Sequence, residues 1–446
     1  MNRRKFMSAA AYGGIAMENI ARAATTSSSE QALPVTNPRS TSGDPVEPNW
    51  DERLTLTVGP RNADLAGSNE KVIQAAVDSI ARWGGGTVKV LPGVYHFRNA
   101  VYLQSKVRIL GSGADSVIVK APSVTATLAQ DSDWFDQEIT FADAKGLQIG
   151  DGICIRAKNP STGGAEVVKR TLVARSGSRF KLDTALRKNI WLMGKPTVST
   201  LFPLFSGENI ADVTIENITL DGNKANNENL DGNYAGCIWM QDCSRIRFRR
   251  VVAHSYNGDG ISWQICHDVV AEYCHSHDHT GYGMHPGSGS QRSVVRGNRL
   301  TGNNLGLFLC WGVKWAVAEK NYIEGNRRFG VSIGHHDTDN MIRDNDIRAS
   351  GEAAVLFRKE REAGFQGHRN RIEKNRIHGI VDEKGIGIDI QGETNSIRIE
   401  GNEIRESQAP ARRVGIRIGK DAGEITIAAN RIEGFAETVL DLRKQS

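Results

Sequence analysis

An Asn-x-[Ile/Leu] tripeptide recurs through the C-terminal half of the chain and restricts the fold more than any other feature. The copies are separated by 23, 24, 30, 27 and 28 residues. Each follows a short segment in which apolar and polar residues alternate, a pattern typical of β-strands. A second signature, Gly-apolar-x-apolar, follows a few residues later, as in GISW (260–263) and GVSI (330–333). The tripeptides begin at Asn298, Asn321, Asn345, Asn375, Asn402 and Asn430.

This period predicts an all-β solenoid, a right-handed parallel β-helix with about three strands per coil and coils about 4.8 Å apart. It is too short for an array of helical hairpins, and helical periodicity is missing from these segments. A leucine-rich repeat is the competing solenoid, but its LxxLxL pattern is absent. We expect the recurring asparagines to stack in one turn, with their amides bonding to the coils above and below.

The N-terminal part predicts a helix that caps the solenoid. An apolar stripe at helical spacing precedes Trp83 and three glycines, with Ser68 or Asn69 as the N-cap. Such a helix would shield the edge of the first coil from pairing with other chains. The stripe consists of Val72, Ile73, Ala76, Val77 and Ile80.

The segment VIQAAVDSIARWGGGTVKVLPGVYHF, which contains this helix, resembles the N-terminal cap of the pectate-lyase-like right-handed β-helix superfamily. The resemblance extends over roughly 54–125 and 205–445. It implies a saccharide groove along one strand face, and a small β-rich insertion at the interruption. Lyases, hydrolases, epimerases and phage tail proteins share this fold, so the resemblance leaves the activity open.

The N-terminal residues predict that the chain is exported. MNRRKFM followed by Ala21-Arg22-Ala23 resembles a twin-arginine signal with its cleavage site, and a basic N-terminal arm is the alternative. The protein would then be periplasmic or secreted. The expected segments are a signal peptide (1–23), a flexible linker (24–52), the cap and first coils (53–127), a β-rich insertion (128–200) and the main β-helix (201–446).

Composition restricts the partners. Cleavage after Ala23 would lower the net charge from +5 to +2, which demands no nucleic acid or other polyanion. No apolar run reaches the roughly 18 residues that span a bilayer. We expect a monomer without a cofactor. The six cysteines are expected to be structural thiols, with a disulfide or a metal site as alternatives; they are Cys154, Cys237, Cys243, Cys266, Cys274 and Cys310.

The second signature assigns directions to side chains. Its two apolar residues point inward, so the residue between them points outward, and successive outward residues should stack about 5 Å apart. In proteins similar to this one, that face carries the saccharide groove. This column consists of Ser262, His285, Phe308, Ser332, Leu356, Asp389 and Arg417.

Titratable and aromatic side chains gather on one edge of this face within about four coils, or roughly 15 Å. The catalytic candidates are Asp259, His285, His335, His336, Asp337 and Arg358. The substrate-binding candidates are Ser262, Trp311, Ser332, Lys359 and Asp389.

Several of these polar residues have a structural alternative. We place His275 in an inward column with Val252 and Leu300, as a hydrogen-bonded core histidine. Residues 277–279 are expected in a solvated turn, although His and Asp at this spacing can also reach one metal ion. Asp337 and Asp339 can instead cap backbone N–H groups of their turn.

The chemistry that these groups suit best is lysis or C5-epimerisation of a uronate-containing glycan. A base, His285 or His335, would remove the proton next to the carboxylate, Arg358 would neutralise that carboxylate, and Asp337 would orient a histidine. A calcium cluster is not supported, because Asp389 is the only acid of the outward column before the C-terminal end.

Two other functions remain open. A glycoside hydrolase would use Asp259 and Asp337, although they lie three coils, or about 14 Å, apart along the axis. A non-catalytic glycan-binding envelope protein is the third hypothesis.

Overall fold

A computed structural model describes residues 48–362, 364–407 and 412–444, which form a right-handed parallel β-helix. The predicted signal peptide and the linker up to residue 47 lie outside the described residues. Among the described residues, no helix combines the length and apolarity needed to cross a membrane.

Two parallel sheets build the solenoid within the described ranges. One has eleven strands: Val101–Tyr102, Phe205–Glu208, Gly236–Gln241, Asp259–Gln264, Tyr282–Gly287, Leu305–Phe308, Phe329–Ile333, Ala353–Phe357, Ile386–Ile390, Val414–Ile418 and Glu437–Asp441. The other has 21 strands: Leu54–Gly59, Leu65–Ala66, Gly86–Val90, Gly93–Phe97, Val107–Lys120, Ala211–Asp221, Ser244–His254, His267–Glu272, His275–His277, Val294–Arg296, Arg299–Thr301, Val317–Glu319, Tyr322–Glu324, Met341–Arg343, Asp346–Ser350, Arg371–Glu373, Arg376–Ile380, Ile397–Glu400, Glu403–Arg405, Ile425–Ala428 and Arg431–Glu433.

The predicted capping helix is confirmed as Glu70–Arg82. Asn69, rather than Ser68, is its N-cap, and the Asn69 side chain accepts a hydrogen bond from Lys71 N. The stripe residues Ile73, Ala76, Val77 and Ile80 are buried in the main core. Short 3₁₀ helices lie at Trp50–Glu52, Leu192–Gly194, Lys224–Asn226 and Leu442–Lys444.

The predicted β-rich insertion interrupts the solenoid as a six-stranded antiparallel sheet in this part of the described chain. It has its own apolar core, in which Phe141 packs edge-on against Phe180 at 5.5 Å between ring centroids. Its strands are Thr125–Thr127, Glu138–Thr140, Gly152–Lys158, Ala165–Ser176, Arg179–Leu182 and Thr197–Ser199.

The asparagine row is confirmed as a buried hydrogen-bond ladder between coils. Asn321 Oδ1 accepts from both the backbone N and the Nδ2 of Asn298, at 2.9 and 3.0 Å. Asn321 Nδ2 donates to Val295 O and to Asn345 Oδ1, at 2.9 Å each. The same contacts continue to Asn430. Each amide therefore fixes the coil on either side of it.

The predicted core position of His275 is wrong. His275 pairs with Arg299 rather than Leu300, so it faces outward, half-buried, with its ring stacked on His277 at 4.1 Å. The alignment differs by one residue from the prediction because Cys274 occupies the position that asparagine holds in the later coils, where its N–H donates to Asn298 Oδ1.

The core histidine is His279, which we had expected in a solvated turn. It is fully buried, its Nδ1 accepts from Tyr256 N, and its Nε2 faces Ala253 O, so the ring carries its proton on Nε2. The expected alternative of a metal site at 277–279 finds no support, because within the described ranges no group of three or more His, Cys, Asp or Glu side chains is placed to hold an ion.

We predict that Asn321→Ala lowers the free energy of unfolding by at least about 2 kcal/mol, because it leaves buried donors and acceptors of three coils unpaired. Asn430→Ala, at the half-buried end of the row, is the control and should cost less, since water replaces its bonds. Urea denaturation measures both. Equal losses would contradict the ladder as a buried constraint.

The buried ring of His279 predicts a pH dependence of stability. Burial lowers the pKa of His279 from 6.5 to about 3. Between these values the unfolded chain binds a proton that the folded chain does not, so stability falls as the pH drops from 6.5 towards 3. His279→Gln keeps a donor and an acceptor but does not titrate. The free energy of unfolding of this variant should therefore fall less steeply with decreasing pH. The difference between the two slopes should be up to about 1.4 kcal/mol per pH unit. Parallel curves in urea denaturation would exclude this contribution.

Candidate functional site on the eleven-stranded sheet

The outward column predicted from the Gly-apolar-x-apolar signature has the expected register. Ser262 lies opposite His285, Phe308 opposite Ser332, and Leu356 opposite Asp389. The rings of His285 and Phe308 are 5.1 Å apart. Residues 23 to 33 positions apart in sequence are therefore direct neighbours on this sheet.

A second outward column, which the sequence analysis missed, precedes the glycine of each signature. The glycine itself faces the core: a Cβ on Gly306 would lie 2.6 Å from Ile323 Cγ2. The preceding residue consequently points out of the solenoid. Residues of both columns form an apolar cluster separate from the core: Tyr282, Leu305, Phe308, Phe329, Ala353, Leu356, Ile386 and Val414. The sequence contains the information needed to find this column. The glycine is the small residue that faces the core, so the residue before it must face outward.

Asp259 and His285 form a hydrogen-bonded pair across neighbouring coils. His285 Nδ1 lies 2.8 Å from Asp259 Oδ2, and Asp259 Oδ1 accepts from Tyr282 N at 2.9 Å. A carboxylate can only accept here, so the Nδ1 of His285 carries the proton. The Nε2 atom is buried and has no hydrogen-bond partner among the described residues. Asp259 thus fixes the imidazole with Nε2 as its free position.

This pair is not open to water, in contrast to our expectation for His285. Both residues are only 2 % exposed, although they lie on the outer side of the sheet. The segment 230–235 covers Asp259: a Cβ on Gly232 would lie 1.6 Å from Asp259 Oδ2, and Ser262 Oγ donates to Gly232 O at 2.7 Å. The Tyr282 ring adds an edge-to-face contact at 5.2 Å from His285. The prediction of side-chain direction is correct, whereas the prediction of exposure is wrong.

Arg358 is fixed beside the same aromatic ring. Its Nη1 donates to Ser332 Oγ at 2.9 Å and its Nη2 donates to Leu309 O at 3.0 Å. Its guanidinium carbon lies 4.6 Å from the Phe308 centroid. Glu360 Oε1 is 3.5 Å from Arg358 Nε. The guanidinium and the His285 imidazole therefore both contact Phe308.

The prediction that Asp337 orients a histidine is wrong. Its Oδ1 accepts from Val313 N at 2.9 Å, and its Oδ2 accepts from Gly334 N at 2.8 Å and lies 3.3 Å from Arg358 Nη2. Complete burial raises the pKa of the Asp337 carboxyl. The alternative of backbone capping is confirmed for Asp337. Asp339 instead forms a two-point ion pair with Arg369.

An aromatic cluster of Trp311, His335, His336 and Phe365 lies at the edge of the sheet. The rings of Trp311 and His335 stack at 4.5 Å, and Phe365 lies 4.8 Å from His335. Trp311 is 59 % exposed and presents a flat apolar surface of the kind on which sugar rings stack. His335 Nδ1 is 3.6 Å from Glu360 Oε2. Glu360, which the sequence analysis did not select, thus connects this cluster to Arg358.

The remaining substrate-binding candidates differ in availability. Lys359 is exposed, whereas Ser262 and Ser332 are fully buried. Asp389 is also buried, and both of its oxygens are bound by Arg417 at 2.8 and 2.6 Å. These bonds satisfy Asp389 within the protein, since a carboxylate held by a two-point arginine contact has little left to offer a sugar.

Comparisons with known proteins agree with this architecture. A family described as the right handed beta helix region matches residues 205–361. PfbA, a surface adhesin of Streptococcus pneumoniae, is similar with a TM-score of 0.54 and 13 % identity over 86 % of this chain and 93 % of that one. The A-module of the Azotobacter vinelandii mannuronan C-5 epimerase AlgE4 has a TM-score of 0.51 and 17 % identity over 86 % and 97 %. A comparison with curated protein sequences found no match. Identities this low establish the fold alone.

The packing of Gly232 on Asp259 generates a prediction. A Cβ at Gly232 would lie 1.6 Å from Asp259 Oδ2, so Gly232→Ala should displace the carboxylate from His285. In ¹⁵N-histidine NMR spectra, the deshielded Nδ1 proton of His285 should be lost. Gly164→Ala is the control, because its Cβ would meet only Thr162 Oγ1 at 3.4 Å. An unchanged His285 signal in Gly232→Ala would refute the pairing.

Proposed function

We propose that this protein is a carbohydrate-active enzyme, a polysaccharide lyase or C5-epimerase acting on a uronate-containing glycan outside the cell. The observation that carries the proposal is the Asp259–His285 pair, whose free Nε2 lies in a dry site beside Tyr282 and Phe308. An imidazole with one nitrogen bound to a carboxylate and the other free is arranged as a general base.

In this proposal His285 removes the proton on C5, the carbon next to the uronate carboxylate. The C5–H electrons move into the carboxylate, and the proton passes to Nε2. The resulting imidazolium is stabilised by Asp259, whose hydrogen bond to Nδ1 then becomes a charge pair. Burial strengthens this interaction, because little water screens the two charges.

Arg358 supplies the positive charge that makes the C5 proton acidic. Its guanidinium contacts the same Phe308 ring as His285 does. Asp337 and Glu360 hold it in place, so it need not reorganise when charge develops on the substrate carboxylate.

Tyr282 is the candidate proton donor. Burial raises the pKa of its phenol, so the ring keeps its proton at neutral pH. In elimination, the C4–O bond breaks, a C4=C5 double bond forms and the phenol proton goes to the leaving oxygen. In epimerisation, Tyr282 donates its phenol proton to C5 from the face opposite His285, which keeps the proton it removed. Both reactions need two proton-transfer groups around one sugar ring, which His285 and Tyr282 provide.

A non-catalytic glycan-binding protein is the second candidate. The near-complete burial of Asp259 and His285 favours it, because catalysis requires the covering segment 230–235 to shift when a glycan binds. Trp311 and Lys359 are exposed and suit binding alone. The hydrolase alternative has less support, since both oxygens of Asp259 and of Asp337 already accept hydrogen bonds.

The decisive test measures turnover of a panel of uronate-containing polysaccharides by ultraviolet absorbance of the unsaturated product, with deuterium exchange at C5 as the readout for epimerisation. His285→Gln should lower kcat by about 100-fold or more, because it removes the base. The control, His254→Gln, replaces a half-buried histidine of the 21-stranded sheet and should retain activity.

Other results identify other functions. Reducing ends that appear without absorbance or exchange would establish a hydrolase. Binding that survives His285→Gln, with no turnover of any glycan, would establish the binding protein. Full lyase activity in His285→Gln would overturn the assigned role of His285.

A further inference from the structure

A cleft of about 600 Å³ lies between the β-rich insertion and the first strands of the eleven-stranded sheet. Tyr102 and Trp239 line it from the sheet, and Lys169 and Arg170 line it from the insertion. This volume is within the range of small-molecule binding sites. The functional roles assigned above use none of these residues.

Two cations of the cleft are held mainly by neutral groups. The Lys169 ammonium lies 3.1 Å from the centroid of the Trp239 ring and donates to Tyr234 O at 2.9 Å. Glu208 is 3.9 Å away. Arg170 donates to backbone carbonyls, including Ala185 O and Leu186 O. Burial lowers the pKa of Lys169 to about 8 although Glu208 acts to raise it, which means that Glu208 alone does not offset the cost of burying this charge.

The walls of the cleft also present aromatic rings. Tyr102 is 41 % exposed and Tyr234 is 36 % exposed. Tyrosine side chains combine a flat apolar face with a polar tip, which suits the faces and hydroxyls of sugars. Cations outnumber carboxylates in the lining, because Lys169, Arg170, Arg187 and Lys188 face only Asp183 and Glu208. This excess of positive charge, together with the exposed rings, favours a ligand that is both saccharide and anionic.

The cleft is aligned with the Asp259–His285 pair. Tyr102 lies opposite Ser206, Ser206 opposite Trp239, and Trp239 opposite Ser262, which is the neighbour of His285. Two coil steps separate Trp239 from His285, or about 10 Å. Ser262, between them, is covered by Gly232, so a glycan reaches the cleft and the His285 site at once when the segment 230–235 shifts as catalysis requires.

We propose that the insertion cleft is a subsite for an acidic sugar unit, in which Lys169 and Arg170 bind its carboxylate or sulfate group and Tyr102 and Tyr234 contact its ring. The inference deepens the proposed function and rests on it for the identity of the glycan. Binding in the cleft itself requires no turnover, so the two proposals are tested separately.

Isothermal titration calorimetry with oligouronates, sulfated oligosaccharides and neutral cello-oligosaccharides tests the subsite. The unmodified chain should bind at least one acidic class and bind the neutral oligosaccharide at least tenfold more weakly. Lys169→Met, which keeps the contact with Trp239, should weaken acidic binding at least tenfold and reduce its salt dependence. The control Lys181→Ala removes a cation of the insertion that pairs with Glu138 outside the cleft, and should bind unchanged.

Tyr234→Ala provides a second variant, because its exposed ring can be removed even if Lys169→Met fails to fold. We expect it to weaken binding severalfold. Equal affinity of the unmodified chain for neutral and acidic oligosaccharides, no binding of any class at millimolar concentration, or unchanged affinity in both variants would each overturn the subsite. Tight binding of an acidic oligosaccharide without turnover would instead contradict the catalytic proposal and support the subsite.

Discussion

Each buried asparagine side chain of the ladder satisfies polar groups of both neighbouring coils. A shift of one coil by a single residue would break these bonds and leave several buried donors unpaired, at about 1–3 kcal/mol each. The ladder therefore holds the register of the 21-stranded sheet, and through the short turns it also holds that of the eleven-stranded sheet. Without this register, Asp259 and His285 would not meet.

The parts of the fold that follow from repeated local patterns were predictable. The Gly-apolar-x-apolar signature marks equivalent positions in successive coils, so the outward column from Ser262 to Arg417 could be placed by counting, and the asparagines do the same for the 21-stranded sheet. The prediction failed where the marker was missing. Cys274 takes the asparagine position of its coil. Because the coil has no asparagine to mark this position, the sequence aligns His275 with Leu300, one residue away from its true neighbour, Arg299.

The exposure and pairing of the site residues could not be read from the repeat. Both depend on turns that have no periodic pattern, in particular the segment 230–235 over Asp259 and the turn of Arg358. Counting coils gave no reason to prefer Asp259 over Asp337 as the partner of a histidine. The distinction arises because Asp337 bends back to its own turn and accepts from Val313 N and Gly334 N, whereas Asp259 faces outward with His285.

The unpaired Nε2 of His285 argues for a function beyond folding. Nearby buried polar groups are satisfied: Ser262 binds Gly232 O, Asp259 binds Tyr282 N, and Ser332 accepts from Arg358. A buried nitrogen without a hydrogen-bond partner lowers the stability of the folded state by about 1–3 kcal/mol, which stands out where the surrounding polar groups are paired. Among the described residues of this face, the exceptions are His285 Nε2 and Gln264 Oε1, which lie in neighbouring coils. A ligand hydroxyl or an acidic C–H that reaches them would regain the lost interaction, and this supports the proposed glycan site at His285.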